Sequence, residues 1–250
     1  MPIGSHPTRG ILRTSGRIST AKIVSYAVPV ASASRASGSE LAASTEDLRP
    51  VVDPLKRACD LVLALVALCL ALPVLGVVAA AILMIEGPPV FFRQVRVGLG
   101  GRDFVLLKFR TMTVSAGAGT GGFDAGDAAR VTRLGGFLRR TKLDELPQLW
   151  NVVRGEMSLV GPRPEVREWV SAFPERWARV LTVRPGITDP ASIEFRNEED
   201  ILAAASQPEA AYRDEVLPRK LDLYEQYVAT HSSWGDIRIL ARTVWAVLKG

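Results

Sequence analysis

The chain has 250 residues, 48% of them hydrophobic, and a formal net charge of +5 from 31 Lys and Arg against 26 Asp and Glu. That is enough apolar material for one sizeable core and too much for a disordered polypeptide. The positive balance points to an anionic partner: nucleic acid, a phospholipid surface or a phosphorylated substrate. An aromatic content of 7% argues against a single-strand binder that stacks bases on aromatic platforms. Two cysteines, Cys59 and Cys69, exclude a disulfide scaffold and a cysteine-rich zinc site. In one helix they would stand about 15 Å apart along the axis, beyond disulfide reach, and both are expected to be buried thiols of a reducing, cytosolic-side protein.

Residues 1–50 are rich in Ser, Ala, Arg and Gly, and carry six bases against three acids. They are predicted to form a disordered basic tail, and no apolar region follows the early arginines as a signal peptide requires. From Leu61 to Ile85 there are 25 residues without a charge, a membrane-grade stretch. As a straight helix it would reach about 37 Å, more than the ~30 Å of a hydrocarbon core. Pro73 lies near its middle, where it removes a backbone hydrogen bond, and Lys56, Arg57, Arg93 and Arg96 flank both ends, so charge assigns no direction. The residues alone favour a transmembrane helix that tolerates a proline over one that bends at Pro73 and returns to the same side.

Val90–Val97 and Asp103–Met112 alternate around Gly98-Leu99-Gly100-Gly101, which predicts a β-hairpin with Lys108 and Arg110 on one face. Phe91 to Lys142 holds ten bases and three acids, whereas residues 194–226 hold nine acids and four bases. Ser115–Gly126 reads as a glycine-rich loop. Short helices are predicted over Leu134–Arg140 and Pro147–Val153, and longer ones over Asp214–Thr230 and Trp234–Leu248. The last has an apolar stripe that suits either a membrane interface or the protein's own core.

The pair Asp144-Glu145 precedes Pro147, a residue favoured at helix starts, and is read as standing at the cap or in the first turn. Capping alone explains many such acids. Here the pair follows Arg139 and Arg140, and both a helix N-terminus and nearby arginines would favour the ionised, nucleophilic aspartate. A second carboxylate can hold Mg²⁺ against a diphosphate. Arg163, set between Pro162 and Pro164, presents a guanidinium suited to phosphate, with a structural turn as the plain alternative. Arg184-Pro185-Gly186 offers a weaker turn of the same kind. His6 and His231, the two histidines, support neither a catalytic triad nor a zinc site, and there is no phosphate-cradling glycine loop leading into a helix.

These strings resemble the bacterial sugar transferases of the monotopic phosphoglycosyl transferase family over about residues 52–250. The matching strings are Lys56-Arg57-Ala58-Cys59-Asp60, the apolar run with Pro73, Pro89 to Gln94, Lys108-Phe109-Arg110-Thr111-Met112, Leu143 to Leu149, Met157 to Pro164, and Arg184 to Thr188. The resemblance implies an α+β, mainly helical protein. It would comprise the tail (1–50), a re-entrant membrane helix broken at Pro73 (51–89), and a cytoplasmic catalytic domain (90–250) with a small β-hairpin and amphipathic interfacial helices. It implies that Asp144 attacks the β-phosphate of a UDP-sugar and carries the phosphosugar covalently. Undecaprenyl phosphate then accepts it at the cytoplasmic face of the bacterial inner membrane, initiating exopolysaccharide, capsule or other glycoconjugate synthesis. Glu145 would bind Mg²⁺, with Arg139 and Arg163 on phosphates and Lys108, Arg110 and Arg184 lining the anionic site.

Membrane lipids are implied as partners, nucleic acid is not, and a homodimer stays open. Two strings depart from the family pattern: Leu72 stands where serine often precedes the breaking proline, and Asp189 to Glu194 replaces a Gly-Trp-Ala-Gln type string. The chain reads as a minimal catalytic form. The alternative is a membrane-anchored, non-enzymatic binder of anionic lipid or nucleic acid, which has no use for an acidic pair amid its bases.

Overall fold

The computed structural model describes residues 51, 53–114 and 130–248; the predicted tail and the glycine-rich loop lie outside them. The first element, α1 (Pro54–Glu86), is a helix of 33 residues, about 50 Å long. It starts where sequence chemistry starts a helix: the Asp53 carboxylate accepts from Leu55 N at 2.9 Å and Lys56 N at 3.0 Å, with Pro54 in the first turn. It stops at Gly87, whose φ of 71° suits a residue without a side chain. The helix is continuous through Pro73, so the proline removes one hydrogen bond without ending the secondary structure. Among the described residues α1 is the one helix long and apolar enough to cross a membrane.

Only a narrow stripe of α1 packs on protein. Asp60, Ala64, Val78 and Ile82 are buried along it, and Ala67, Leu68, Leu75 and Ala79 fill the gaps. The remaining circumference exposes Leu70, Val77, Met84 and their neighbours. Cys59 and Cys69 fall on this outward surface, which corrects the expectation of buried thiols: their positions lie off the packing stripe.

The hairpin forms as predicted. β1 (Phe91–Val97) and β2 (Asp103–Phe109) pair antiparallel, with Phe91 opposite Phe109 and Val97 opposite Asp103. The order then runs α2 (Arg133–Thr141), a 3-10 turn (Leu143–Glu145), α3 (Gln148–Arg154), β3 (Ser158–Val160), α4 (Arg167–Ala172), α5 (Pro174–Val180), β4 (Gly186–Thr188), α6 (Pro190–Glu194), α7 (Glu198–Ala203) and α8 (Pro208–Ala211). After a π-helical turn (Tyr212–Val216) come α9 (Leu217–Thr230) and α10 (Ser233–Leu248). Helix α9 was expected to begin at Asp214. The π-helical turn runs without a break into α9, with Leu217 N–H donating to Tyr212 O, and its wider spacing accommodates Pro218, which has no N–H to donate.

The two proline-flanked arginine turns prove to be neighbours. β3 and β4 form a parallel pair, Ser158 opposite Gly186 and Val160 opposite Thr188. Gly161, just past β3, meets the segment that leads into β4 backbone to backbone: a Cβ at Gly161 would lie 2.4 Å from Arg184 O, and one at Gly186 2.1 Å from Gly161 N. Apolar packing divides into patches. Phe104, Leu106, Leu149, Val152 and Met157 gather on the first half of α1, and Phe109 and Leu138 on the second. A larger cluster of Trp169, Trp177, Leu217, Leu221 and Tyr224 holds the C-terminal half together.

Candidate active site

Helix α2 is capped by Thr132, which accepts from Gly135 N at 2.8 Å, and it ends at Lys142, which has a left-handed φ of 57°. That reversal delivers the acidic pair. Asp144 and Glu145 occupy the 3-10 turn before α3, and no side chain caps the starts of that turn and of α3. Plain capping therefore does not explain them.

Glu145 is held by two cations. Arg163 Nη2 donates to Oε1 at 2.6 Å and Lys108 Nζ to the same oxygen at 3.2 Å. Asp144 is 6% exposed, and its Oδ1 is buried without a hydrogen-bond partner. The two carboxyls are driven in opposite directions. Burial pushes the Asp144 carboxyl up, and adjacent Glu145 adds to this against Lys108. Burial also opposes ionisation of Glu145, but Arg163 and Lys108 outweigh it and hold that carboxyl well below the usual range. The expectation that surrounding charge keeps Asp144 easily ionised is thus corrected, because desolvation wins at that residue. Burial also lowers the Lys108 ammonium against the pull of Glu145. Environments that separate the pKa values of neighbouring acids are a mark of divided chemical roles.

The other basic residues of the expected site are spread along its approaches. Arg139 Nε donates to Thr111 Oγ1 at 3.0 Å, one strand end away from Lys108. Arg110 turns to the end of α1 and donates to Gly87 O at 2.7 Å and Glu86 O at 3.1 Å. It closes helix carbonyls that otherwise lack donors. Arg184 lies beyond the opposite end of α3, where its Nε donates to Gly155 O at 3.0 Å. Arg57 reaches the same helix end, donating to Val152 O and Val153 O. The structure therefore brings Asp144, Glu145, Lys108 and Arg163 together, and gives Arg110 and Arg184 backbone partners elsewhere.

Sequence reasoning missed Asn151. This residue, 1% exposed, accepts from Leu107 N at 3.1 Å and donates to Val105 O at 2.7 Å. Its amide supplies β2 with the donor and acceptor that a third strand would offer, and so fixes α3 beside Lys108. An asparagine inside a helix, where it is a poor former, was the one available signal. Two further anchors were equally hidden. Ser158 Oγ donates to Asp60 Oδ2 at 2.7 Å, and Lys56 pairs with Asp236, joining the start of α1 to β3 and α10.

Among the described residues there is no cluster of three or more His, Cys, Asp or Glu side chains. A magnesium ion does not need one, since it is commonly held by one or two carboxylates together with substrate phosphates and water. Glu145, a largely buried carboxylate whose two cations both sit on Oε1, fits such partial coordination.

The family model for bacterial sugar transferases matches residues 51–250. An uncharacterized sugar transferase, EpsL, of Bacillus subtilis is 39% identical over 78% of this chain and 87% of its own length. A UDP-glucose:undecaprenyl-phosphate glucose-1-phosphate transferase of Caulobacter vibrioides is 39% identical over 80% of this chain and 72% of its own. One of the same name from Escherichia coli is 38% identical, but the match spans only 39% of that longer protein. With the match extending from the start of α1 to the last residue, the chain belongs to the bacterial sugar transferase family.

Proposed function

We propose that this protein transfers a sugar 1-phosphate from a UDP-sugar to a polyprenol phosphate, such as undecaprenyl phosphate, through a phosphosugar carried on Asp144. The observation that carries this reading is the buried acidic pair, with one carboxylate held by Arg163 and Lys108 and its neighbour left with an unpartnered oxygen. An Asp144 oxygen attacks the sugar-bearing phosphorus, an O–P bond forms, and the bond from that phosphorus to the bridging oxygen breaks. UMP leaves with the electron pair. A polyprenol phosphate oxygen then attacks the same phosphorus, the bond to Asp144 breaks, and the carboxylate is restored.

Glu145 would hold Mg²⁺, which when bound supplies charge neutralisation on the diphosphate. Arg163 and Lys108 set the position of Glu145 and keep it ionised, and Arg139 faces the phosphates from the α2 side. The names of the Caulobacter and Escherichia coli relatives support this donor and acceptor. A relative from Aeromonas hydrophila named for N-acetylgalactosamine shows that family resemblance does not choose the sugar.

We also place the active site at the cytoplasmic membrane surface, with both ends of α1 on one side. Support comes from the two ends of the helix: Lys56 and Arg57 in its first turn and Glu86 in its last all bond to the same folded body. The test is an assay of purified protein with radiolabelled UDP-sugars, Mg²⁺ and undecaprenyl phosphate. The expected result is a lipid-linked sugar diphosphate and released UMP. No lipid-linked product from any common UDP-sugar, under conditions where an active relative works, overturns the proposal.

A further inference from the structure

Two buried side-chain atoms on the helical run from the 3-10 turn through α3 have no hydrogen-bond partner: Asp144 Oδ1 and Gln148 Nε2. Gln148 is 2% exposed and opens α3. Leu146 and Pro147 keep right-handed helical dihedrals between them, so Asp144 and Gln148 stand four residues apart on a continuous helical path, the spacing of neighbouring side chains. Buried polar groups in native proteins are nearly always bonded, and each exception calls for a reason. Asn151, the next buried amide of α3, shows the ordinary case: its Nδ2 donates to both Val105 O and Glu156 Oε2 at 2.7 Å.

A donor and an acceptor at neighbouring positions that do not bond each other are both open to a third group. A phosphoryl group satisfies the two at once, since its oxygens accept from an amide and its phosphorus takes a carboxylate oxygen. We infer that Gln148 contacts the transferred phosphoryl group, its side-chain amide donating to a phosphoryl oxygen as the bond to Asp144 forms. This rests on the phosphosugar-carrying role proposed for Asp144. The amide adds a neutral donor to a site otherwise built from charges. Its hydrogen bond strengthens as negative charge builds on the phosphoryl oxygens, which is where a fixed dipole contributes most.

The two explanations of a buried glutamine differ in sign. An amide that holds the fold together makes its loss destabilising, whereas an amide kept unpaired for substrate makes its loss neutral or stabilising to the empty protein and harmful to the reaction. The experiment is Gln148→Met, close in volume and without a donor, in the full chain in detergent. Melting temperature is read without substrate, and the initial rate of phosphosugar adduct formation with UDP-sugar is read by intact-protein mass spectrometry.

The expected result is an unchanged or higher melting temperature and an adduct rate lower by about 10²-fold. Gln148→Glu, which keeps the shape but replaces the donor with a second negative charge, is expected to be at least as slow. A wild-type rate in either variant, or a rate that falls together with the melting temperature in Gln148→Met, overturns the inference. Wild type and Asp144→Asn run in parallel separate the two readings. Adduct in wild type with an unimpaired Gln148→Met rejects the role of Gln148 alone, whereas no adduct in wild type with any UDP-sugar rejects both.

Discussion

Arg163 Nη2 lies 2.6 Å from Glu145 Oε1, although the two residues are separated by α3 and β3 in the chain. The contact fastens the turn bearing the acidic pair to the end of the β3–β4 ribbon. Glu145 is held below the usual carboxylate range, so its favourable contribution to stability is present above that range and is lost as pH falls through the lowered value. Replacing Arg163 with Met leaves Lys108 as the main counter-charge. The expected loss is about 1–3 kcal/mol at neutral pH, less than for a fully buried pair because Arg163 is partly exposed. The acid limb of the melting-temperature profile should also move to higher pH, and thermal melts between pH 3 and 8 check both.

Asp144 carries the opposite sign. A carboxyl raised by burial contributes favourably below the ordinary aspartate range, and that contribution is lost as pH rises through the raised value. Asp144→Asn is therefore expected to stabilise the empty protein by about 1 kcal/mol at pH 8, with a smaller gain at pH 4, while forming no adduct. The wild-type adduct rate should fall on the acid side at a pH above that expected for an exposed aspartate. Chemical denaturation at the two pH values and a pH–rate profile provide the measurements.

Asn151 binds β2 through that strand's main-chain atoms and also donates to Glu156 Oε2 at 2.7 Å. Asn151→Leu leaves Leu107 N–H and Val105 C=O without partners, at about 1–3 kcal/mol for each buried group. A loss of about 3 kcal/mol in a urea melt is expected. Amide exchange at Leu107 should accelerate more than at Leu106, whose N–H faces β1 in the hairpin ladder.

Adjacent glycines of α2 offer a matched pair. A Cβ at Gly135 would fall 2.0 Å from Thr111 O, whereas one at Gly136 would meet nothing closer than Val131 Cγ1 at 3.9 Å. Gly135→Ala must push α2 away from the strand end that holds Arg139 through Thr111, at about 1–3 kcal/mol. Gly136→Ala should stabilise by about 0.5–1 kcal/mol through reduced chain entropy. Parallel melts of the two variants check the contrast, and reversed signs would refute this packing.

Much of the architecture could be read from local signals. The uncharged run, the alternation around Gly98–Gly101 and the periodicity of the last two helices carry their own structure, because burial against lipid or core selects those patterns. The acidic pair was legible as chemistry, but its electrostatics were not. Whether arginines or desolvation prevail at Asp144 depends on how deeply the turn sinks, which nothing in Leu143 to Pro147 encodes. Arg110 and Lys108 share a face in the sequence pattern, yet one meets α1 and the other Glu145, since their partners come from distant segments. The parallel pairing of β3 with β4 was hidden for the same reason: three-residue strands leave too little alternation to detect. The two α1 cysteines show the reverse error, in which an apolar run was equated with a core although most of its surface faces outward.

Both ends of α1 are bonded directly to the folded body. Arg110 grips the last carbonyls of that helix from the strand whose Lys108, two residues earlier, reaches Glu145. Anchor and chemistry are therefore joined by a few side-chain lengths rather than by a linker. Under the proposed mechanism the height of the Asp144 carboxylate above the lipid tails would then be a built-in dimension of the fold, and an acceptor lipid would have to arrive by sliding sideways through the leaflet to a fixed level.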